Sequence, residues 1–151
     1  MGQAVRRSSA ELVLDRVARV NDQAAALRES AGTGTVTDNI AAALTDLFGS
    51  VAVAIVALIT FRYDLRARLR QAGVAGVPVL TEASAMIAAY LGAERAPGRV
   101  AAGADIDTLA PTLIGAAHLL FADRTATPPA PEAVRKLVTT ALAADLREPR
   151  P

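Results

Sequence analysis

Apolar residues recur along this chain at the spacing of an α-helix, and the alternation typical of β-strands is nowhere sustained. The first such run gives one apolar helix face, made of Val13, Val17, Val20, Ala24 and Leu27. Small residues at 30–34 break the pattern, after which Thr35 and Asp38 have the spacing of a capping box. The pattern predicts an all-α fold that starts with a long amphipathic helix.

The second helical run contains the most apolar part of the chain. One side is apolar along its whole length, and from Val51 onward the opposite side is apolar too. A helix that is apolar all round is normally buried, so we expect a central helix from about Thr37 to Phe61, about 37 Å long. The eleven residues at 51–61 are too few to span a bilayer, which needs about 20. They predict a buried core helix.

Four more helices are predicted in the later part of the chain. A basic helix at about 62–72 comes first, and we interpret its arginines as a solvated face supported by an Asp64–Arg68 pair. Glycines and Pro78 end that helix. The remaining three predicted helices cover about 79–94, 105–123 and 132–146. The pattern as a whole therefore predicts six helices.

Composition narrows the classes of function. The 151 residues fit one domain, which we place at 4–146, with a flexible start at 1–3 and a flexible tail at 147–151. Hydrophobic residues make up 52% of the chain and aromatic residues only 3%. The net charge of +1 provides no overall field to attract nucleic acid or anionic lipid. Without cysteine, disulfides and thiolate chemistry are excluded, and we expect a cytoplasmic protein.

The segment 98–121, GRVAAGADIDTLAPTLIGAAHLLF, carries a resemblance to a known family. A short loop with an acidic helix start leads into an apolar helix that contains small residues. With the helices around it, this segment resembles the late helices of TetR-family regulators. In that family a three-helix head reads DNA, and the stretch 3–14 resembles the segment that directly follows the head. The resemblance implies a domain that binds a small hydrophobic effector and dimerises, without the head and unable to bind DNA alone.

The resemblance also implies a homodimer. In the family, the last two helices form a four-helix bundle with the same pair from a second subunit. Small residues allow two helix backbones to approach closely, and Gly115 and Ala116 lie off the inward face of their helix. Packing within the subunit is the alternative. The expected dimer interface consists of Gly115, Ala116, Leu119, Val134, Leu137, Val138 and Ala141.

Family pockets are mostly apolar, with a few polar groups that orient the ligand. Polar residues that interrupt apolar helix faces, together with nearby apolar walls, give the expected ligand-binding set: Thr60, Phe61, Tyr63, Met86, Tyr90, Thr112, His118 and Phe121. For three of these residues the alternative stays open: His118 as a core or interface histidine satisfied by a backbone carbonyl, Met86 as core packing, and Tyr63 as a solvent-facing residue. Phe48 is interpreted as plain packing. The pocket is expected to lie among the first five helices.

An enzyme is not expected. The chain has one histidine, no cysteine and no Gly-x-Ser-x-Gly turn, and its glycines do not form a phosphate loop. Its carboxylates are spread along helix faces, so neither a metal site nor a cofactor is expected. The alternative function is a structural homodimeric helical module, or an engineered scaffold, with a filled core. A cavity of a few hundred Å³ would distinguish the effector-binding domain from this alternative.

Overall fold

The structure is a computed structural model that describes residues 8–49, 52–73, 76–122 and 127–147. Over these residues the chain forms seven helices and no strand, with one β-bridge between Val100 and Leu146. The helices are α1 (Ser9–Glu29), α2 (Val36–Phe48), α3 (Ala52–Phe61), α4 (Tyr63–Gln71), α5 (Leu80–Arg95), α6 (Ile106–Ala122) and α7 (Pro131–Leu142). The prediction of an all-α fold is confirmed. The expected start at 1–3 and most of the expected tail lie outside the described residues.

The helix ends follow the local sequence signals. Ser8 caps α1, because its hydroxyl accepts from the Glu11 N–H at 3.2 Å while the Glu11 carboxylate accepts from the Ser8 N–H at 2.9 Å. The Thr35 hydroxyl caps α2 by accepting from the Asp38 N–H at 3.1 Å. Pro131 occupies the first turn of α7, where a missing N–H costs no hydrogen bond.

The predicted continuous helix from Thr37 to Phe61 is wrong, because the structure has two helices there. α2 ends at Phe48, and the Gly49 N–H still donates to the Thr45 carbonyl at 2.8 Å. Gly49 and Ser50 are weak helix formers compared with the alanines and leucines around them. α3 then begins at Ala52, and residues 50 and 51 lie outside the described part of the chain.

Arg16 of α1 stabilises the end of α2. Its guanidinium is buried and donates from Nη2 to the Leu47 carbonyl at 2.7 Å and, more weakly, to the Asp46 carbonyl at 3.5 Å. Carbonyls in the last turn of a helix have no partner within the helix, and a cation there is favoured by the helix dipole. Burial lowers the pKa of Arg16. The contact gives the buried guanidinium two hydrogen-bond acceptors. It also gives the Asp46 and Leu47 carbonyls, at the end of α2, a donor that the helix does not supply.

α5 is central to the packing. It lies against α1 and α6, while α2 lies against α7 and α6 also packs on α7. The buried face of α5 contains Ala83, Met86, Ile87, Tyr90, Leu91 and Glu94. The first five of these belong to the main hydrophobic core. Glu94 extends the same face beyond the apolar residues.

α3 is less buried than its apolar sequence predicts. Among its described side chains, Val56 and Ile59 are buried, while Ala54, Ala57 and Thr60 are exposed. Ile59 joins Val13, Leu65 and Leu69 in a smaller core that holds α3 and α4 against α1. The expectation of a fully buried helix at 51–61 is therefore wrong for α3. In the described ranges, no helix combines the length and apolar character required to cross a membrane.

Candidate functional site

The most prominent pocket lies where α3, α4 and the connection to α5 meet. Its volume is about 480 Å³. α3 contributes Ile59 and Thr60, α4 contributes Arg66, Leu69 and Arg70, and the connection contributes Gly73, Gly76, Val77 and Pro78. The lining thus combines an apolar wall with two cations and one hydroxyl. Ligand pockets of about 300–1,000 Å³ with a mostly apolar lining are the usual form of small-molecule sites.

The amphipathic pattern of α4 explains how arginines come to line this pocket. Leu65 and Leu69 are buried against α1 and α3, which fixes the rotation of the helix. Arg66 and Arg70 follow these leucines by one residue each and are four residues apart, so they lie on one side of α4. Both are exposed and both line the pocket. The buried leucines therefore position the two arginines.

The connection between α4 and α5 depends on glycine at 76. Gly76 has φ +70°, and a Cβ atom at this position would lie 2.5 Å from the Thr81 hydroxyl oxygen. Any other residue would need both an unfavourable backbone conformation and a shift of Thr81. Val79 also has a positive φ of 74°, and its N–H donates to the Glu82 carboxylate at 2.7 Å. These contacts bring Val77 and Pro78 to the mouth of the pocket and begin α5.

The only carboxylate of α4 belongs to Asp64, and it is paired outside the pocket. Arg62 donates to Asp64 from Nε at 3.2 Å and from Nη2 at 3.1 Å. The hydrogen bond from Arg62 lowers the pKa of Asp64. The predicted Asp64–Arg68 pair is thus replaced by an Arg62–Asp64 pair. Among the described residues, the guanidinium groups of Arg66 and Arg70 have no hydrogen-bonding or ion-pair partner.

A polar cluster at the other end of α5 is closed to solvent. Tyr90 and Glu94 are fully buried, and the Tyr90 hydroxyl donates to the Glu94 carboxylate at 3.0 Å. The same carboxylate accepts from the Gly32 N–H at 2.5 Å and is 3.2 Å from the Arg99 guanidinium. Asn39 donates to the Tyr90 hydroxyl at 2.9 Å. These groups bind one another and join the α1–α2 loop to α5, which indicates a structural role.

Arginines also line a second pocket of about 330 Å³, but they already have partners. Arg99 pairs with Glu94, and Arg135 lies 2.7 Å from Asp38. Arg147 donates to two backbone carbonyls, those of Ala144 at 3.0 Å and Leu146 at 3.1 Å. The pairing of its cations distinguishes this second pocket from the first, whose arginines are free of such contacts among the described residues.

The predicted ligand-binding residues fall in separate places. Thr60 lines the first pocket, and its hydroxyl donates to the Val56 carbonyl at 2.8 Å. Phe61 is in α3, but its side chain lies outside the described part of the structure. Tyr63 is 78% exposed. Thr112 is exposed too, with its hydroxyl bonded to the Thr108 carbonyl at 2.7 Å.

The other predicted ligand residues are in the main core. Met86 and Tyr90 are buried on α5. His118 and Phe121 of α6 both approach Phe48, with 5.8 Å between ring centroids in each case. The Nδ1 atom of His118 is buried and has no hydrogen-bond partner among the residues that the structure describes. The structure therefore brings His118 and Phe121 together around Phe48, and none of these three residues is among those that line the first pocket with Thr60.

The predicted interface residues divide between surface and core. Val134 and Val138 are buried within the chain itself, so they support α7 and are not available to a partner. Gly115 is exposed, and apart from the adjacent backbone of its own helix, no described atom would lie within 4 Å of a Cβ atom at this position. Leu119 is 70% exposed. Three further predicted residues are half-buried: Ala116, Leu137 and Ala141.

Comparison with known proteins returns no match among family models, curated proteins or solved structures. In the part of the chain that the structure describes, no group of three or more His, Asp or Glu side chains could hold a metal ion. The lining residues of the first pocket are therefore the basis for inferring which ligand it binds.

Several residues of these two regions were missed from the sequence. Glu94 follows Ala83, Ile87 and Tyr90 at helical spacing, so its position on the buried face was a visible signal for a paired carboxylate. Arg66 and Arg70 were interpreted as a solvated face. Their spacing and the shortage of acidic residues on α4 were visible, but the pocket beside them was not.

Proposed function

We propose that this chain is a small-molecule-binding and dimerisation domain of the kind that TetR-family regulators carry. The observation that carries the proposal is the 480 Å³ pocket lined by Ile59, Leu69, Val77 and Pro78 with a few polar groups. Its volume and mixed lining fit a small, mainly apolar effector. The chain alone is not expected to bind DNA, because its net charge is only +1.

Three separate segments line the pocket, and this supports a regulatory role. A ligand that contacts Thr60 of α3, Leu69 of α4 and Val77 before α5 would favour one relative placement of these segments. A ligand shifts a conformational equilibrium by its difference in affinity for the two states. In a TetR-type regulator such a shift would change the affinity for DNA, and this is the role proposed for the pocket.

The dimer is proposed to form through α6 and α7. The two helices pack on each other, and α6 leaves Thr112, Gly115, Leu119 and Ala122 exposed at helical spacing. This face carries no charged side chain at those positions, and an exposed leucine beside a glycine suits close helix packing. A second copy of the same pair of helices would complete a four-helix bundle.

Ligand binding is tested by thermal unfolding of the full chain with and without 1-octanol. A bound ligand stabilises the folded state by RT ln(1 + [L]/Kd), about 2.7 kcal/mol at a hundredfold excess over Kd. Thr60→Trp should fill the pocket and remove this stabilisation. Thr45→Trp is the matched control, because Thr45 is also an exposed helical threonine, bonded to the Ala41 carbonyl, and it does not line the pocket. Equal stabilisation of both variants would contradict the proposal.

Dimerisation is tested by sedimentation at micromolar concentration. Leu119→Lys should give a monomer, whereas Leu14→Lys, at an exposed leucine of α1, should leave the dimer intact. Gly115→Leu should weaken association by about 1–3 kcal/mol if the interface is tightly packed. Because a side chain at Gly115 meets nothing within the chain, this variant should keep its fold. A monomeric wild-type chain would remove the dimer from the proposal.

A structural homodimeric module is the second candidate. The observation in its favour is the burial of Met86 and Tyr90, which were expected to line a cavity and instead belong to the main core. This module would dimerise through α6 and show no stabilisation by 1-octanol. The combination of a stable dimer with no ligand effect in the Thr60 experiment would select it.

A further inference from the structure

The described charges at the first pocket all have one sign. Arg66 and Arg70 line it, and no Asp or Glu is among its described lining residues. Neither guanidinium group has a hydrogen-bonding or ion-pair partner in the described part of the chain. Asp64, the acidic residue of the same helix, is held by Arg62. The pocket therefore presents two uncompensated guanidinium groups.

The positions of these arginines make them a pair. They are four residues apart on α4, where side chains are neighbours on one face. Like charges at this spacing repel each other and destabilise the helix. Arg70 lies in the last turn of α4, where its charge interacts favourably with the helix dipole. A carboxylate placed between two guanidinium groups would relieve this repulsion, since their planar donors match its geometry.

An apolar wall borders the same cavity. Ile59 and Leu69 are buried in the small core below it, and Pro78 is buried at the start of α5. Val77 is 42% exposed and lines the cavity from the connection. A ligand packed against Val77 and against the edges of Ile59 and Leu69 that line the cavity removes apolar surface from water, most of it from Val77, and affinity rises with the area buried. The pocket thus offers an apolar surface and a positive patch together.

We propose that the pocket binds an amphipathic organic anion, with its anionic head at Arg66 and Arg70 and its apolar body against Ile59, Leu69 and Val77. This inference rests on the proposed function, because it names the ligand class of the same pocket. It excludes cationic ligands, which the two arginines repel. It also predicts affinity that falls as salt concentration rises, because the arginines are exposed to solvent.

The test compares three probes with the same apolar chain: octanoate, 1-octanol and octylammonium. Calorimetric titrations of the full chain measure their affinities at low and high salt. Octanoate should bind most tightly to the wild-type chain and octylammonium most weakly. The double variant R66Q/R70Q should lower octanoate affinity about tenfold, as expected for two partly exposed ion pairs. The affinity of the double variant for 1-octanol should change less than about twofold. The salt dependence of its octanoate affinity should disappear.

Arg68→Gln is the matched control, because Arg68 is exposed on the same helix and does not line the pocket. It should leave octanoate binding within about twofold of the wild type. Equal wild-type affinities for octanoate and 1-octanol, or an equal loss in R68Q and R66Q/R70Q, would overturn the anion inference.

Thr60→Trp separates this inference from the proposed function. If it blocks 1-octanol while R66Q/R70Q leaves octanoate unchanged, the pocket binds ligand but the anion inference fails. If octanoate depends on both arginines but not on Thr60, the anion is bound at the surface, and the inference fails as well. If neither probe binds the wild-type chain, both the proposed function and the inference are overturned.

Discussion

The two ends of α5 use polar side chains in opposite ways. At the C-terminal end, Tyr90 and Glu94 are fully buried and bonded to groups from two loops. Near the N-terminal end, Arg66 and Arg70 of α4 face an open pocket without a carboxylate. One region satisfies its charges within the chain, whereas the other leaves them for something outside it. Charged residues alone do not indicate a site, and the proposed anion site rests on unpaired charges beside an apolar cavity.

The energetic consequences of this difference are large. Removing one partner of a buried ion pair leaves the other uncompensated and costs about 3–5 kcal/mol. Substitution of an exposed side chain usually changes stability by less than about 0.5 kcal/mol. The closed end of α5 should therefore respond to mutation through folding, and the open end through binding.

The largest effect is expected for Glu94→Ala. This variant removes the carboxylate that accepts from Tyr90, Gly32 and Arg99, so the free energy of unfolding should fall by about 3 kcal/mol. Urea denaturation followed by circular dichroism measures the change. Glu29→Ala is the control, because Glu29 is an exposed glutamate at the end of α1. Similar losses in both variants would show that the cluster has no special role.

A smaller effect is expected for Tyr90→Phe. It removes one buried hydroxyl that donates to Glu94 and accepts from Asn39, which should cost about 1 kcal/mol at neutral pH. The phenylalanine keeps most of the packing of the tyrosine ring in the core. Thr112→Val removes a hydroxyl that is bonded at the surface, and it should cost less.

The pH dependence of Tyr90 gives a separate prediction. Burial raises the pKa of Tyr90 from 10.0 to about 12. The folded chain then holds the phenol proton more tightly than the unfolded chain, so this stabilisation is present below pH 10 and is lost as the pH rises towards 12. Urea midpoints of the wild type and Tyr90→Phe should converge over that interval. A constant difference between them would contradict burial of the hydroxyl.

The smallest effect on folding is expected for Arg66→Gln. Without ligand, its free energy of unfolding from urea denaturation should stay within about 0.5 kcal/mol of the wild type, because the side chain is exposed and unpaired among the described residues. The same measurement with octanoate present should show less stabilisation than in the wild type. A large loss of stability without ligand would mean that Arg66 supports the fold, and the contrast between the two ends of α5 would be lost.

Local periodicity was enough to predict most of the helices and their buried faces. Val13, Val20 and Leu27 are buried as expected, and the Thr35 cap is present. The end of α2 was harder, because the Arg16 guanidinium that satisfies its carbonyls comes from 31 residues earlier in the chain. The helical pattern of neighbouring residues does not predict a contact between residues so far apart in the sequence.

The candidate site could be predicted only in part for a similar reason. Thr60 was identified because it interrupts an apolar helix, and that signal is local. The role of Arg66 and Arg70 depends on how α3, α4 and the connection to α5 enclose a cavity, which is a property of tertiary packing. From the sequence alone, an arginine face on a short helix that is merely solvated cannot be distinguished from one that binds an anion.

The most direct test of this contrast is an amide chemical-shift titration of the full chain with octanoate. We expect shifts that saturate and are concentrated at Ile59 and Thr60 of α3, along α4 and at 76–80, with little change at 90–99. Largest shifts around Tyr90, Glu94 and Arg99, or changes scattered over the surface without saturation, would contradict the assignment of the binding site to the open end of α5.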